Sequence, residues 1–204
     1  MPLRASPHKV ESYMRNTIAS LSEKLTIFIL TYNRYPRLIR ALKYVDSVGS
    51  PYRIYVLDSS RPHMSLTKYD AVLKRNNITH LLFDCELHPF EKIQQALKYV
   101  TTPYVVLWAD DDFMVLPALK EGIKFLESKH DYNLVHGQAC LFSMDYEKAG
   151  GKVTGISPYP QREITDDTAA KRLLNHLGCY TTTYYSIHRK ENYQRIVELL
   201  QIFF

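Results

Sequence analysis

Four short apolar runs recur along the chain, and each is followed by a stretch with helical spacing. The runs are residues 25–30, 53–57, 79–83 and 104–109. Runs of this length, rich in β-branched and aromatic residues, are typical of strands buried in a sheet. The intervening stretches repeat apolar residues every three or four positions, as in Ile93, Ala96 and Leu97. This alternation predicts an α/β fold with a mainly parallel central sheet and helices on both faces.

The pattern changes after residue 131. It predicts a strand over 133–142, a loop over the Gly-, Pro- and Tyr-rich stretch 148–162, a short helix near 170–177, a strand over 181–188 and a final helical stripe. That stripe ends at Phe203 and Phe204 without a cap, a glycine or a polar tail. A natural domain rarely ends on an exposed apolar pair, so we expect a truncated chain or a gene fragment.

Composition narrows the classes of protein. The 204 residues, 46% hydrophobic and 23% charged, fit one globular domain with a full core. The net charge of +5 comes without a Lys/Arg tract, which argues against nucleic acid as a partner and suits an anionic small molecule. No apolar run approaches the ~20 residues of a membrane span, so we expect at most peripheral membrane contact. The first residues lack a signal peptide, and three scattered cysteines indicate a reducing, cytoplasmic location.

Three consecutive acids, Asp110, Asp111 and Asp112, directly follow the run 104–109. They are therefore expected at the carboxyl end of a strand, the edge where open α/β sheets bind ligands. Three adjacent carboxylates repel one another unless a cation or a solvent-filled cleft relieves the repulsion. Oxygen ligands on a short turn suit Mg²⁺ or Mn²⁺ shared with a substrate phosphate. The alternative is a helix cap with two solvated neighbours, but a cap requires one acid, so we favour the metal site.

Three segments in this order resemble the GT-A-fold glycosyltransferases of the large inverting family 2. They are residues 26–34, with the turn Thr-Tyr-Asn-Arg, residues 55–60, and residues 105–112, which carry a DxD pattern; residues 184–191 give a fourth, weaker match. The resemblance implies a GT-A (nucleotide-diphospho-sugar transferase) fold. By this likeness, residues 1–24 are an N-terminal extension, 25–130 the nucleotide-sugar-binding half, and 131–204 an incomplete acceptor-side part of the same domain.

The resemblance also implies an activity. It is metal-dependent, inverting transfer of a sugar, of the hexosyltransferase type, from a nucleotide-diphosphate sugar to a hydroxyl of a saccharide, lipid-linked or protein acceptor, as in polysaccharide biosynthesis. Mn²⁺ or Mg²⁺ would be held by Asp112 and Asp110. The implied nucleotide-sugar-binding residues are Thr31, Tyr32, Asn33, Arg34, Asp58, Asp110 and Asp111. Ordinary turn chemistry is the alternative for Asp58 and Asn33. We expect Arg37, Arg40 and Lys43 to form a solvated helix flank.

An inverting transferase needs a carboxylate to deprotonate the acceptor hydroxyl. The Glu-Asp pair usual in the family does not occur after residue 191. Asp166, Asp167 and Glu191 are weak candidates, and Asp166-Asp167 is better explained as a cap of the helix near Ala169. We therefore expect that the base lies beyond Phe204 or is missing. One alternative is an incomplete or non-catalytic nucleotide-sugar-binding module. A nucleotidyltransferase is less favoured, because it would need a Gly-rich loop after the first strand.

Overall fold

A computed structural model describes residues 20–145 and 151–200 of the chain. These residues form two compact units. One consists of residues 20–135 and 186–200, and the other of the described residues between 136 and 185. Phe203 and Phe204, on which the expected truncation depends, lie outside the described residues. Within those residues, no helix is both long enough and apolar enough to cross a membrane.

The first unit is built on a six-stranded sheet with the order β3-β2-β1-β4-β8-β5. Its strands are β1 (Leu25–Thr31), β2 (Arg53–Asp58), β3 (Ile78–Leu82), β4 (Tyr104–Ala109), β5 (Leu134–Val135) and β8 (Ile187–Arg189). The first four are parallel, whereas β8 runs antiparallel to β4 and to β5. The predicted mainly parallel sheet is confirmed.

Helices cover both faces of this sheet. They are α1 (Tyr35–Val48), α2 (Asp70–Arg75), α3 (Pro89–Leu97), α4 (Leu119–Ser128) and α6 (Lys190–Leu200). Along β1 the side chains alternate: Ile27 packs in the core cluster of α1 and α4, whereas Phe28 packs in that of α3 and α6. Both residues are fully buried. Burial on both faces explains why these strands are continuous apolar runs.

The second unit contains β6 (Ala139–Met144), β7 (Val153–Tyr159) and α5 (Ala169–Gly178). β6 and β7 pair antiparallel as a two-stranded sheet. The prediction of a loop over 148–162 was therefore wrong for residues 153–159. Most side chains of β7 are exposed, so the sequence there lacks the alternation of apolar and polar residues that marks a half-buried strand. Both strands of a two-stranded sheet are edge strands, where a proline such as Pro158 is tolerated. The helix predicted near 170–177 is confirmed.

Two other predicted strands are shorter than expected. The strand over 133–142 is divided into β5 and β6 by the non-strand residues 136–138, and the strand over 181–188 is reduced to β8. The predicted cap of α5 also differs. Its first turn is capped by Thr168, whose hydroxyl accepts a hydrogen bond from the Lys171 amide at 3.3 Å, rather than by Asp166 or Asp167.

Candidate functional site

The carboxyl ends of three adjacent strands meet at one edge of the sheet. Thr31 at the end of β1 pairs in register with Asp58 of β2, and Ala109 at the end of β4 pairs with Leu30. The chain order reverses between β1 and β4, which opens a crevice of the type that binds ligands in α/β sheets. Across this crevice the Thr31 hydroxyl donates a 2.7 Å hydrogen bond to Asp110 Oδ2. The structure thus brings the predicted residues of β1, β2 and β4 to one edge.

Asn33 joins the turn after β1 to the turn after β2. Its backbone is left-handed, with φ of 53°, a conformation that Asn adopts more readily than most residues. The backbone N–H of Asn33 donates a 2.8 Å hydrogen bond to Ser60 Oγ, and the side-chain Oδ1 of Asn33 accepts a 2.8 Å hydrogen bond from the backbone N–H of Arg61. The neighbouring Tyr32 side chain is 51% exposed and free to stack on a flat ligand. Asn33 therefore builds the turn that presents Tyr32.

An open cleft of about 550 Å³ lies beside this turn. It is lined by Asn33, Tyr35, Pro36, Arg61, Pro62, His63 and Met64. Its volume falls within the range of small-molecule sites. The cleft is therefore large enough for a small ligand.

The Asp58 carboxylate is completely buried in a closed hydrogen-bond network. Oδ2 accepts from Tyr35 OH and from His80 Nε2, each at 2.9 Å, and Oδ1 accepts from the Ser60 amide at 2.8 Å. Burial alone raises the pKa of Asp58, but the hydrogen bonds together outweigh it and hold the pKa below its usual range. A direct hydrogen bond to a base would require one of these donors to move. As placed here, Asp58 shapes the pocket and does not line it.

Lys92 is a buried cation that our sequence analysis missed. It lies on α3, and its Nζ donates to Thr31 O at 3.2 Å and to Ser59 Oγ at 3.0 Å. Burial lowers the pKa of Lys92 to about 8, although the charges of Asp58 and Asp110 oppose that shift. One signal was available in the sequence, because Lys92 lies four residues before Ala96 on the predicted apolar face of α3. The positive charge of Lys92 thus compensates the charges of Asp58 and Asp110, and its hydrogen bonds connect the turns after β1 and β2.

Asp110 is completely buried, and its carboxylate is incompletely hydrogen-bonded. Arg34 Nη2 lies 2.9 Å from Asp110 Oδ1, but the guanidinium is not aligned for a hydrogen bond. Among the described residues no other group donates to this oxygen. Burial raises the pKa of Asp110, more than the Thr31 hydrogen bond and the Arg34 charge lower it. A further positive charge at Oδ1 would therefore be favourable.

Three arginines of the α1 region converge on Asp111. Arg34 Nη1 and Arg37 Nη1 donate to its Oδ2 at 2.9 and 2.6 Å, and Arg40 Nη2 donates to its backbone oxygen at 2.6 Å. The prediction that Arg37 and Arg40 only flank α1 in solvent was wrong, because both bind Asp111 in the aspartate loop, residues 110–114, which follows β4. Lys43 is exposed as predicted. The repulsion expected among the three acids is therefore relieved in part by guanidinium groups.

Two of the three acids present oxygens of the kind that divalent cations bind. Within residues 20–145 and 151–200, no three His, Cys, Asp or Glu side chains are grouped to hold a metal alone. Mg²⁺ and Mn²⁺ sites on nucleotides commonly use one or two carboxylates and complete their shell with phosphates and water. Asp110 Oδ1, which accepts no hydrogen bond, and the half-buried Asp112 supply such oxygens.

The general-base candidates differ in position. β8 is antiparallel to β4, Arg189 pairs with Tyr104, and the Lys190 amide donates to Pro103 O at 2.9 Å. Glu191 therefore follows at the amino edge of the sheet, about 20 Å along β4 from Asp110, and does not fit the role of base. Asp166 and Asp167 belong to the second unit. There the Asp166 carboxylate accepts a 2.8 Å hydrogen bond from Asn175.

The order of the strands in this sheet is that of a GT-A nucleotide-diphospho-sugar transferase. The sequence profile of Glycosyl transferase family 2 matches residues 26–195. Because this match covers most of the chain, the protein belongs to Glycosyl transferase family 2. A comparison with curated proteins gave no match.

Solved structures with this fold include TarS of S. aureus. TarS 1–349 superposes with a TM-score of 0.54 at 19% identity, over 82% of this chain and 47% of that one. The same fragment in complex with UDP-GlcNAc gives a TM-score of 0.54 at 18% identity, over 82% and 45% of the two chains. At this identity the likeness establishes the GT-A fold. The chain spans about half the length of these structures.

Proposed function

We propose that the chain transfers a hexosyl group, with inversion, from a nucleotide-diphosphate sugar to an acceptor hydroxyl in a metal-dependent reaction. The observation that carries this proposal is the buried Asp110, whose Oδ1 accepts no hydrogen bond, at the sheet edge that also bears Tyr32. A UDP-sugar is the first donor to test, because the similar TarS structure contains UDP-GlcNAc. The acceptor is a saccharide, a lipid-linked molecule or a protein, in cytoplasmic polysaccharide biosynthesis.

The base and the diphosphate of the donor each have proposed partners. The base lies against the exposed Tyr32 ring, in the turn that Asn33 and Ser60 hold together. Lys92 connects the turn at Thr31 with the turn at Ser59 through its two hydrogen bonds. Asp110 and Asp112 would hold Mn²⁺ or Mg²⁺, and such an ion neutralises the charge of the departing nucleoside diphosphate.

A non-catalytic donor-binding module is the second candidate function. It is favoured by the position of Glu191 at the amino edge of the sheet, away from Asp110. Asp166 and Asp167 remain proposed bases, and neither has the sequence context that the family resemblance predicts. This candidate retains the donor site and removes only the transfer step.

A donor-hydrolysis screen separates these functions. UDP-, GDP- and CMP-sugars are incubated with the chain with and without Mn²⁺, and the released nucleotide is measured beside calorimetric binding. Mn²⁺-dependent release from one donor, lost in Asp112→Asn, supports the transferase. Binding without release supports the module. Absence of both binding and release would remove the proposed donor site.

A further inference from the structure

Two guanidinium groups share a single carboxylate oxygen beside the crevice. Arg34 and Arg37 both donate to Asp111 Oδ2, at 2.9 and 2.6 Å. The side chains are partly open to solvent, with exposed fractions of 40% for Arg34, 47% for Arg37 and 35% for Asp111. Arg34 is also paired with Asp110, whose Oδ1 lies 2.9 Å from Arg34 Nη2, and among the described residues Asp111 is the only carboxylate that Arg37 shares with it. An added anion can compete with Asp111 for the partly exposed Arg37 guanidinium.

The fold of the aspartate loop does not depend on Arg37. The loop backbone is held by Arg40 on Asp111 O at 2.6 Å, by Trp108 Nε1 on Asp112 O at 3.1 Å, and by Tyr44 OH on Met114 O at 2.8 Å. The Arg40 guanidinium also lies over the Phe113 ring, 5.0 Å from its centroid. The Arg37 side chain hydrogen-bonds only to the Asp111 carboxylate among the described residues.

The energy of this contact is small. An exposed ion pair contributes roughly 0.2–1 kcal/mol, because solvent screens the charges and both side chains lose rotational freedom. Arg34, in contrast, also lies 2.9 Å from the buried Asp110 and is held at two places. Arg37 is therefore the guanidinium of this pair that can change partner at little cost.

We propose that Arg37 is an exchangeable phosphate ligand, which Asp111 holds until the diphosphate of the donor takes its guanidinium. A planar guanidinium binds two phosphate oxygens at once, whereas here it shares one carboxylate oxygen with Arg34. The exchange leaves Asp111 paired with Arg34, so no carboxylate becomes unpaired. This inference rests on the proposed donor site, because the anion is the donor's diphosphate.

The exchange predicts opposite effects for two neighbouring substitutions. Binding of inorganic pyrophosphate, UDP and uridine is measured by calorimetry in EDTA, which removes the contribution of divalent metal. Arg37→Gln should weaken pyrophosphate and UDP about five-fold, the effect of one screened ion pair, and leave uridine unchanged. Asp111→Asn should strengthen both anions, because Arg37 loses its competing partner. Lys43→Gln, an exposed cation on the same helix, is the matched control and should change nothing.

Two results would overturn the exchange. One is an unchanged pyrophosphate affinity in Arg37→Gln, and the other is an unchanged or weaker affinity in Asp111→Asn, as a fixed structural pair would give. The pyrophosphate arm separates this inference from the proposed function. If UDP binds no better than pyrophosphate, the proposed nucleotide site is wrong, whereas the effect of Arg37→Gln on pyrophosphate affinity still decides the exchange.

Discussion

Two turns at the same edge of the sheet treat their aspartates differently. After β2, Asp58 is buried and accepts hydrogen bonds from Tyr35, His80 and Ser60. After β4, Asp110 is equally buried, but its Oδ1 accepts no hydrogen bond. The first carboxylate is fully hydrogen-bonded within the protein, whereas Oδ1 of the second is near the Arg34 guanidinium but accepts no hydrogen bond. Burial alone therefore does not distinguish a ligand-binding aspartate from a structural one. The distinction lies in whether both carboxylate oxygens already accept hydrogen bonds from the protein.

The largest expected effect comes from the unsatisfied turn. Asp112→Asn should weaken Mn²⁺-dependent binding of UDP about 100-fold or more, because it removes one of two proposed metal-binding carboxylates. The fold should be retained, since the substitution removes a charge from a cluster of acids. Calorimetry with and without Mn²⁺ measures the effect, and circular dichroism checks the fold. Equal Mn²⁺-dependent affinities for UDP in the wild type and in Asp112→Asn would show that Asp112 is only a solvated turn residue.

A substitution of Asp58, in the turn after β2, should lower the stability of the fold. Asp58→Ala should lower the free energy of unfolding by about 2 kcal/mol at pH 7, because buried donors lose their acceptor. The pKa of Asp58 is lower in the folded state than in the unfolded state, where it is about 3.9. Its stabilisation is thus present above about pH 4 and lost as the pH falls. The difference in unfolding free energy between the wild type and Asp58→Ala, measured by urea unfolding, should be smaller at pH 3 than at pH 7. An equal difference at both pH values would contradict the hydrogen-bond network of Asp58.

A smaller effect is expected at the exposed ring between the two turns. Tyr32→Ala should weaken uridine and UDP by the same factor of about five or more, because stacking on a base contributes roughly 1–3 kcal/mol. Tyr99→Ala is the control, since Tyr99 is also exposed but follows α3 near the amino edge of the sheet. Calorimetry of both ligands measures the change. A loss for UDP alone would place the phosphates, and not the base, against Tyr32.

The smallest effect is expected for Lys92, which lies behind both turns. Lys92→Met should change the free energy of unfolding at pH 7 by about 1 kcal/mol or less, because the desolvation cost of the ammonium offsets its hydrogen bonds. Its pKa is about 8 in the folded state, against about 10.4 when unfolded. The unfolded chain then binds more protons between these values, so the wild type should gain stability over the variant as the pH rises from 8 to 10. Urea unfolding across this range would show no such gain if Lys92 titrated normally.

For the parallel part of the first unit, the sequence predicted the elements but not the long-range side-chain contacts. β1, β2 and β4 were recognised because burial on both faces leaves continuous apolar runs, and the acids were placed because parallel strands end at one edge. The partners of those acids were missed. His80 reaches Asp58 from β3 and Arg37 reaches Asp111 across 74 positions, and no local pattern encodes such contacts. The three-residue spacing of Arg34, Arg37 and Arg40 did signal one common helix face, but not what that face contacts.

The most direct test of the contrast between the two turns is a crystal structure of the chain with UDP and Mn²⁺ bound. Our account predicts that the base lies against Tyr32, that the diphosphate lies beside Asp110 and Asp112 within about 3 Å of the Arg37 guanidinium, and that Asp58 keeps its hydrogen bonds. A base bound directly by Asp58 with Tyr35 or His80 displaced, or a nucleotide bound away from β1 and β4, would contradict it.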